Sequence, residues 1–336
     1  MTEAIKAESW RFCVAPMLDW TDRWCRHFHR LLTKRARLYT EMIAAPALLY
    51  GDRRRLLGYE PGVNPCALQL GGSDPQLLAR CARWGEEAGY DEINLNCGCP
   101  SEKVQSGSFG AVLMLRPALV ADCVKAMQDA VSVPVTVKHR IGVDRSVSYE
   151  FVRDFVGKLY EAGVRVFIVH ARAAWLQGLS PKENRDVPPL DRGLAARLKE
   201  DFPHAVLVVN GGLRTLEECR SELERFDGVM VGREAYNNPW LLSRVDEVLW
   251  GSRPEGKSRT DVIREMADYI AGVQEEEPLA ARTAANHLMG IAQGLAGARA
   301  WRRELTSPES WRHLRAREII LSAWRHVADP GARAGA

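Results

Sequence analysis

Long hydrophobic runs are missing from this chain. No stretch approaches the roughly 18 consecutive apolar residues of a bilayer-spanning helix, which argues against a helical membrane protein. The first ten residues set Glu3, Lys6 and Glu8 among alanines and lack the apolar centre of a secretory signal. Excess charge of one sign is scarce as well. The 46 basic and 43 acidic side chains leave a net charge of +3, too little to identify a polyanion binder by itself. Two binding signatures are also lacking. Cys97-x-Cys99 does not have Cys-x-x-Cys spacing or a second ligand pair, so no metal is expected. No Gly-x-Gly-x-x-Gly follows a strand-like run, which disfavours the alternative of an open, doubly wound dinucleotide-binding sheet. The eight cysteines are scattered rather than spaced as a disulfide framework, the usage of a reducing compartment. The expectation is a cytoplasmic protein of free thiols with no membrane contact.

What is present is a repeat of short apolar runs, each followed by a longer amphipathic segment. The runs cover 12–15, 38–42, 65–70, 92–96, 133–138, 164–170, 205–210 and 228–232. Most are continuous rather than alternating, as in strands covered on both faces. Pro75 and Pro117 stand where helices start, Gly89 and Gly163 where they end, and Thr215 with Glu218 forms a capping-box pattern. Eight such units in about 240 residues match an α/β fold of the (β/α)8 TIM-barrel type. Beyond Trp240 strand signals vanish, and helical stripes such as Ile263, Met266, Tyr269 and Ile270 replace them. The expected plan is a tail at 1–10, a barrel at 11–245, a linker at 246–258, a small C-terminal all-α helical domain at 259–328 and a disordered tail at 329–336.

Barrels of this kind build their sites at the carboxyl ends of the strands. Here those ends read Ala15-Pro16-Met17-Leu18-Asp19, Gln69-Leu70-Gly71-Gly72, Asn94-Leu95-Asn96-Cys97-Gly98-Cys99, Lys138-His139-Arg140, His170-Ala171-Arg172, Asn210-Gly211-Gly212 and Gly232-Arg233-Glu234. Polar groups converge from seven of the eight. Glycines with a guanidinium after the last two strands suit a phosphate, although left-handed turns into helices would explain the glycines equally. Lys138, His170 and Gln69 offer donors and an acceptor to an electron-rich ring with an amide-like edge. The set suits a flavin mononucleotide.

Cys97 continues its strand and reads as packing. Cys99, in a Gly-Cys-Pro turn at the mouth, has an ordinary pKa near about 8.5 and is mostly thiol at neutral pH. It qualifies as a proton donor or as a nucleophile. The loop 173–190 is long for its place and offers Lys182, Asn184 and Arg185. Between Arg299 and Arg325, arginines 299, 302, 303, 312, 315, 317 and 325 outnumber glutamates 304, 309 and 318, with tryptophans 301, 311 and 324 interleaved. Solvated helix faces carry such charge, but arginine usage tilts the segment towards phosphate contact.

Ala-Pro-Met-x-Asp, Tyr-Thr-Glu-Met (39–42), Gln-Leu-x-Gly-Ser (69–73), Asn-Leu-Asn-x-Gly-Cys-Pro-Ser (94–101), Val-Lys-His-Arg (137–140), Val-His-Ala-Arg (169–172), Asn-Gly-Gly and Val-Gly-Arg-Glu occur in order from Arg11 to Trp240. In combination they resemble the tRNA-dihydrouridine synthases, and Gly-Leu-Ser-Pro-Lys-Glu-Asn-Arg (178–185) resembles the A-type subfamily acting on uridines 20 and 20a of the D-loop. Cys97, at a position often apolar in that family, is the one departure. The resemblance implies tightly bound FMN held by Pro16, Met17, Leu18, Gln69, Lys138, His170, Asn210, Gly211, Gly212, Gly232 and Arg233. It implies Cys99 as general acid, giving a proton to uracil C5 while reduced FMN gives a hydride to C6. It implies tRNA contacts at Asn96, Lys182, Arg185, Arg299 and Arg302, NADPH as transient reductant, and a monomer without protein partners. Two rivals stay open: an FMN barrel reducing a small pyrimidine, which would survive loss of residues 258–336, and a non-catalytic RNA-binding barrel, which would lack flavin absorbance.

Overall fold

In the computed structural model, residues 6–144, 146–253 and 256–329 are described. Residues 1–5 of the expected leading tail, 254–255 of the linker and 330–336 of the trailing tail lie outside them. The chain divides into two compact units, one of 1–23 with 35–232, the other of 24–34 with 233–336.

The first unit is the barrel. Its strands are β1 (Phe12–Val14), β2 (Leu38–Tyr39), β3 (Ile43–Ala44), β4 (Cys66–Gly71), β5 (Glu92–Cys97), β6 (Val135–Arg140), β7 (Val166–His170), β8 (Val206–Asn210) and β9 (Gly228–Val231). All pairings are parallel, in the order β1-β9-β8-β7-β6-β5-β4-β2, with β3 also on β4. The ring closes where Arg37 bridges to β1: Val14 N–H donates to the Arg37 carbonyl at 2.9 Å and Arg37 N–H to that of Phe12 at 3.0 Å. Of the run expected as the second strand, 38–42, only Leu38–Tyr39 is strand, and a further short strand, Ile43–Ala44, follows just beyond it. The Thr40 hydroxyl between them donates to the carbonyl of Glu41 and accepts Gln69 N–H, so this stretch leaves the ladder.

Local chemistry explains the helices around the ring. Pro75 and Pro117 begin the helices Pro75–Ala88 and Pro117–Ala130, where a missing N–H costs nothing. Asp74 caps the first through Leu77 N–H, and Gly89 ends it at φ 110°. Thr215 and Glu218 complete their capping box. The near end of the chain is part of the barrel wall: residues Ala7–Trp10 form a 3-10 turn and Trp10 is buried.

The second unit holds five helices of the C-terminal region, Arg259–Glu276, Ala281–Asn286, Ala298–Thr306, Pro308–His313 and Ala316–Trp324, with a 3-10 segment His287–Ala292. Arg233–Asn237, Val245–Trp250 and most of Arg23–Leu32 group with it. Its core includes Ile263, Met266, Ile270 and Trp301, and Trp301 meets Trp324 edge-on at 5.2 Å. Asp329 is buried and accepts from Thr260 N–H and hydroxyl at 3.0 and 2.8 Å. Among the described residues, no helix is long and apolar enough to cross a membrane.

Candidate active site at the barrel mouth

Strand register decides which side chains share the interior. Gln69 lies beside Asn94, Asn96 beside Lys138, Arg140 beside His170, and His170 beside Asn210. Lys138 Nζ reaches Asn210 Oδ1, two strands away, at 3.2 Å, a contact that only the inside of a closed sheet permits. Alternation puts His139 outside, where its ring packs at 5.3 Å from that of Phe155. Burial pulls its pKa down to about 4.

Cys99 sits on the turn after β5. Asn96 Oδ1 accepts the backbone N–H groups of Gly98 and Cys99, at 3.0 Å each, while Asn96 Nδ2 donates to Gln69 Oε1 at 2.8 Å. Asn96 is 8% exposed, so the side chain expected to meet RNA is chiefly the internal brace of this turn. Arg140 holds the same turn from the other side. Its Nε donates to the Gly98 carbonyl at 2.9 Å, and its Nη1 to the carbonyls of Ala173 and Asn184 at 2.8 and 2.9 Å. One guanidinium therefore ties the cysteine turn to the long loop after β7.

That loop is ordered by Asn184, which sequence reading offered to RNA. It is 0% exposed: its amide exchanges two hydrogen bonds of 2.8 Å with the Trp175 backbone and also donates to the Leu179 carbonyl. An amide so enclosed is a structural staple. Lys182 is exposed and Arg185 half-buried on the same loop. Arg172 donates to the carbonyls of Asp186 and Pro188, fixing the loop's far end.

The mouth is cationic. Burial, and then the charge of Arg140, pull the Lys138 ammonium down to about 7. Burial drives His170 well below the usual imidazole range, helped by Arg140 and Lys138, so this ring is neutral at physiological pH. Burial raises the Cys99 thiol above its ordinary value, and a bond from the Ser101 backbone and the charges of Arg140, Lys138 and Arg185 offset this only in part. Cys99 is thus a protonated thiol. Among the eight cysteines it alone is half-buried, the other seven being buried. Cys97, with its thiol raised strongly by burial, is packing.

The remaining candidates follow the strands β1, β8 and β9. Gly211 and Gly212 have φ of 123° and 71°, so both readings of these glycines hold at once: the turn needs them, and it leaves their N–H groups without a protein acceptor among the described residues. A Cβ on Gly211 would come within 3.1 Å of the His170 ring, so only glycine allows this approach. Asn210 also donates to the Met230 carbonyl at 2.8 Å. Gly232 lies beside Ala15 and Met17. Met17 is buried, Pro16 half-buried and Leu18 70% exposed. Arg233 opens the helix that follows Gly232 and groups with the second unit. Unpaired backbone donors, a desolvated ammonium and two amides form a donor set for an anionic, acceptor-rich ligand, and these residues fit FMN.

In the second unit, Arg299 and Arg302 are exposed on one helix and lack an ion-pair partner among the described residues. Arg312 and Arg317 pair with Glu309 and Asp268. Of the interleaved tryptophans, Trp301 and Trp324 belong to the core. Sequence reading missed Arg140 as the tie between the loops and Glu92, Asn94 and Thr136 as interior polar groups. A polar residue at every second position of β5 was the available signal.

Comparison with known proteins gives a consistent result. The family model for dihydrouridine synthase (Dus) matches residues 13–319. The chain is 56% identical to the tRNA-dihydrouridine(20/20a) synthase of Pseudomonas putida, over 88% of each chain. It is 56% identical to that of Pseudomonas aeruginosa, over 91% of this chain and 92% of the relative. The Escherichia coli K12 protein of the same name is 53% identical, over 89% and 86%. Morphinone reductase shares the fold at TM-score 0.51 and 14% identity, over 74% of this chain and 89% of that one. The chain belongs to the dihydrouridine synthase family.

Proposed function

We propose that this chain reduces uridines 20 and 20a in the D-loop of tRNA to 5,6-dihydrouridine, with NADPH as reductant and FMN as resident cofactor. The observation that carries the reading is the protonated, half-buried Cys99 thiol at the cationic mouth of a barrel that matches the family along its length. Overall, the uracil C5=C6 double bond gains a hydride and a proton, NADPH becomes NADP+, and one proton is consumed. FMN, when bound, supplies the hydride chemistry at C6.

The chain's own residues do the rest. The N–H groups of Gly211, Gly212 and Gly232 would hold the cofactor phosphate, and Pro16, Met17, Leu18 and Asn210 would line its berth. Gln69, Lys138 and neutral His170 would present donors to its ring. The target base must leave its stack to enter the mouth. Cys99 then gives its proton to C5, and the resulting thiolate, half-exposed, regains one from solvent. Asn96 and Arg140 hold the backbone turn that carries that thiol.

Lys182 and Arg185 on the loop, and Arg299 and Arg302 on the helical unit, contact tRNA phosphates. Arg299→Ala should weaken tRNA binding about equally for all tRNAs and reduce the salt slope of binding by about one. Filter binding from low to moderate salt checks this, and an unchanged slope removes Arg299 from the footprint. The reading as a whole is tested by purifying the protein and recording its spectrum. A flavin band near about 450 nm and dihydrouridine formed in an unmodified tRNA transcript with NADPH are expected. Binding of tRNA without flavin would contradict it.

A further inference from the structure

Small barrels fill their interior with branched apolar side chains, yet this one carries a buried polar column. Its foot is Glu92, 0% exposed. Glu92 Oε2 accepts from Trp10 Nε1 at 2.8 Å and lies 3.2 Å from Arg37 Nη1. Glu92 Oε1 accepts from the hydroxyls of Tyr39 and Thr136, at 2.9 and 2.5 Å. An indole and a guanidinium only donate, so Oε2 must accept. Burial raises the pKa of this carboxyl, while the adjacent arginine and the bonds from Thr136, Tyr39 and Trp10 favour the ionised form, in which both oxygens accept.

The rest follows by elimination. Thr136 has one hydroxyl hydrogen, drawn to the carboxylate, so its oxygen accepts from Asn94 Nδ2 at 2.7 Å. Asn94 is thereby oriented, and its Oδ1 accepts from Gln69 Nε2 at 2.7 Å. Gln69 Oε1 is left to accept from Asn96 Nδ2, and Asn96 Oδ1 to accept from Gly98 and Cys99 N–H. Each amide orientation is dictated by the one below it. All the donors point towards Glu92, the alignment in which hydrogen bonds polarise and strengthen one another.

We propose that Glu92 is a positioning residue for the reaction: through this column it fixes which atoms of Gln69 and Asn96 face the mouth and so sets the turn that carries Cys99. Both amides commit their carbonyl oxygens to the column and keep one N–H each for a ligand. The mouth therefore meets its ligand with amide donors. The proposal rests on Cys99 being the proton donor.

Thr136→Val cuts the column between Glu92 and Asn94 and leaves Glu92 its partners Trp10, Tyr39 and Arg37, and Thr136→Ser keeps it. Two readouts are needed. In the folded protein, iodoacetamide reports on Cys99, because the other seven cysteines are buried. With the turn released, Thr136→Val should alkylate about threefold faster or more, and Thr136→Ser at the wild-type rate. In turnover, Thr136→Val should lose about tenfold in kcat per bound flavin while KM for tRNA holds within about twofold, with serine restoring the rate. Loss of stability alone would not move either quantity per folded molecule. Glu92→Gln, which substitutes an amide for the ordering carboxylate, should reproduce both changes. A folded Thr136→Val or Glu92→Gln protein matching wild type in alkylation and kcat would overturn the proposal. A wild-type protein that forms no dihydrouridine would sink the proposed function instead, leaving the alkylation comparison to judge the column.

Discussion

Cys99→Ala should keep its flavin band and its tRNA affinity and lose dihydrouridine formation by about two to four orders of magnitude, the span of a general acid. The substitution removes one half-buried sulfur and its bond from the Ser101 backbone, but it keeps the bond to Asn96, which is made through the backbone N–H of residue 99. The loss is therefore chemical. The pH dependence supplies an independent check. The acid form is present below the thiol's pKa and is lost as pH rises through it, and burial has moved that pKa upward. The alkaline limb of kcat should accordingly lie above about 8.5, the ordinary thiol value. An alkaline limb at or below that value, or normal turnover by Cys99→Ala, would remove Cys99 from the role.

Arg140→Met should have the next largest effect. Its guanidinium serves the carbonyls of Gly98, Ala173 and Asn184, and a buried polar group left unpaired costs about 1–3 kcal/mol. The variant should unfold about 2–3 kcal/mol more readily than wild type in denaturant titration. It should also lose about a hundredfold in kcat/KM, since the cysteine turn and the loop bearing Lys182 and Arg185 come loose together. The charge effect runs the opposite way. Without Arg140 the Cys99 thiol rises further and Lys138 is relieved of a like charge, so the alkaline limb should move up while the rate falls. A variant as active as wild type would show that the two loops do not need this tie.

Much of this architecture was readable from residue order. Strands buried on both faces read as continuous apolar runs, and each of the eight expected runs holds one observed strand. The run 38–42 is strand only over Leu38–Tyr39, because Thr40 turns its hydroxyl to the backbone of Glu41 and Gln69, an event local propensity does not encode. The rim was legible for a simple reason: polar residues that end apolar strands have few other uses. What stayed hidden depends on register and on distant backbone. The alternating polar residues of β5 hint at an interior polar row, but only neighbouring strands in register align Glu92, Asn94 and Thr136 into one column. Arg140 looks like a strand end awaiting a ligand, but its partners are carbonyls of two loops that come together only in the fold. Trp301 and Trp324, interleaved with arginines in sequence, are packed against each other in the core, because a helix period separates charged and apolar faces that sequence order mixes.

The central claim is that this chain makes dihydrouridine at positions 20 and 20a of tRNA. Mapping dihydrouridine in tRNA from cells from which the chain has been deleted tests it most directly. The account predicts plain uridine at 20 and 20a, dihydrouridine retained at other D-loop positions, and restoration by the intact chain but not by Cys99→Ala. Dihydrouridine persisting at 20 and 20a in those cells would contradict it.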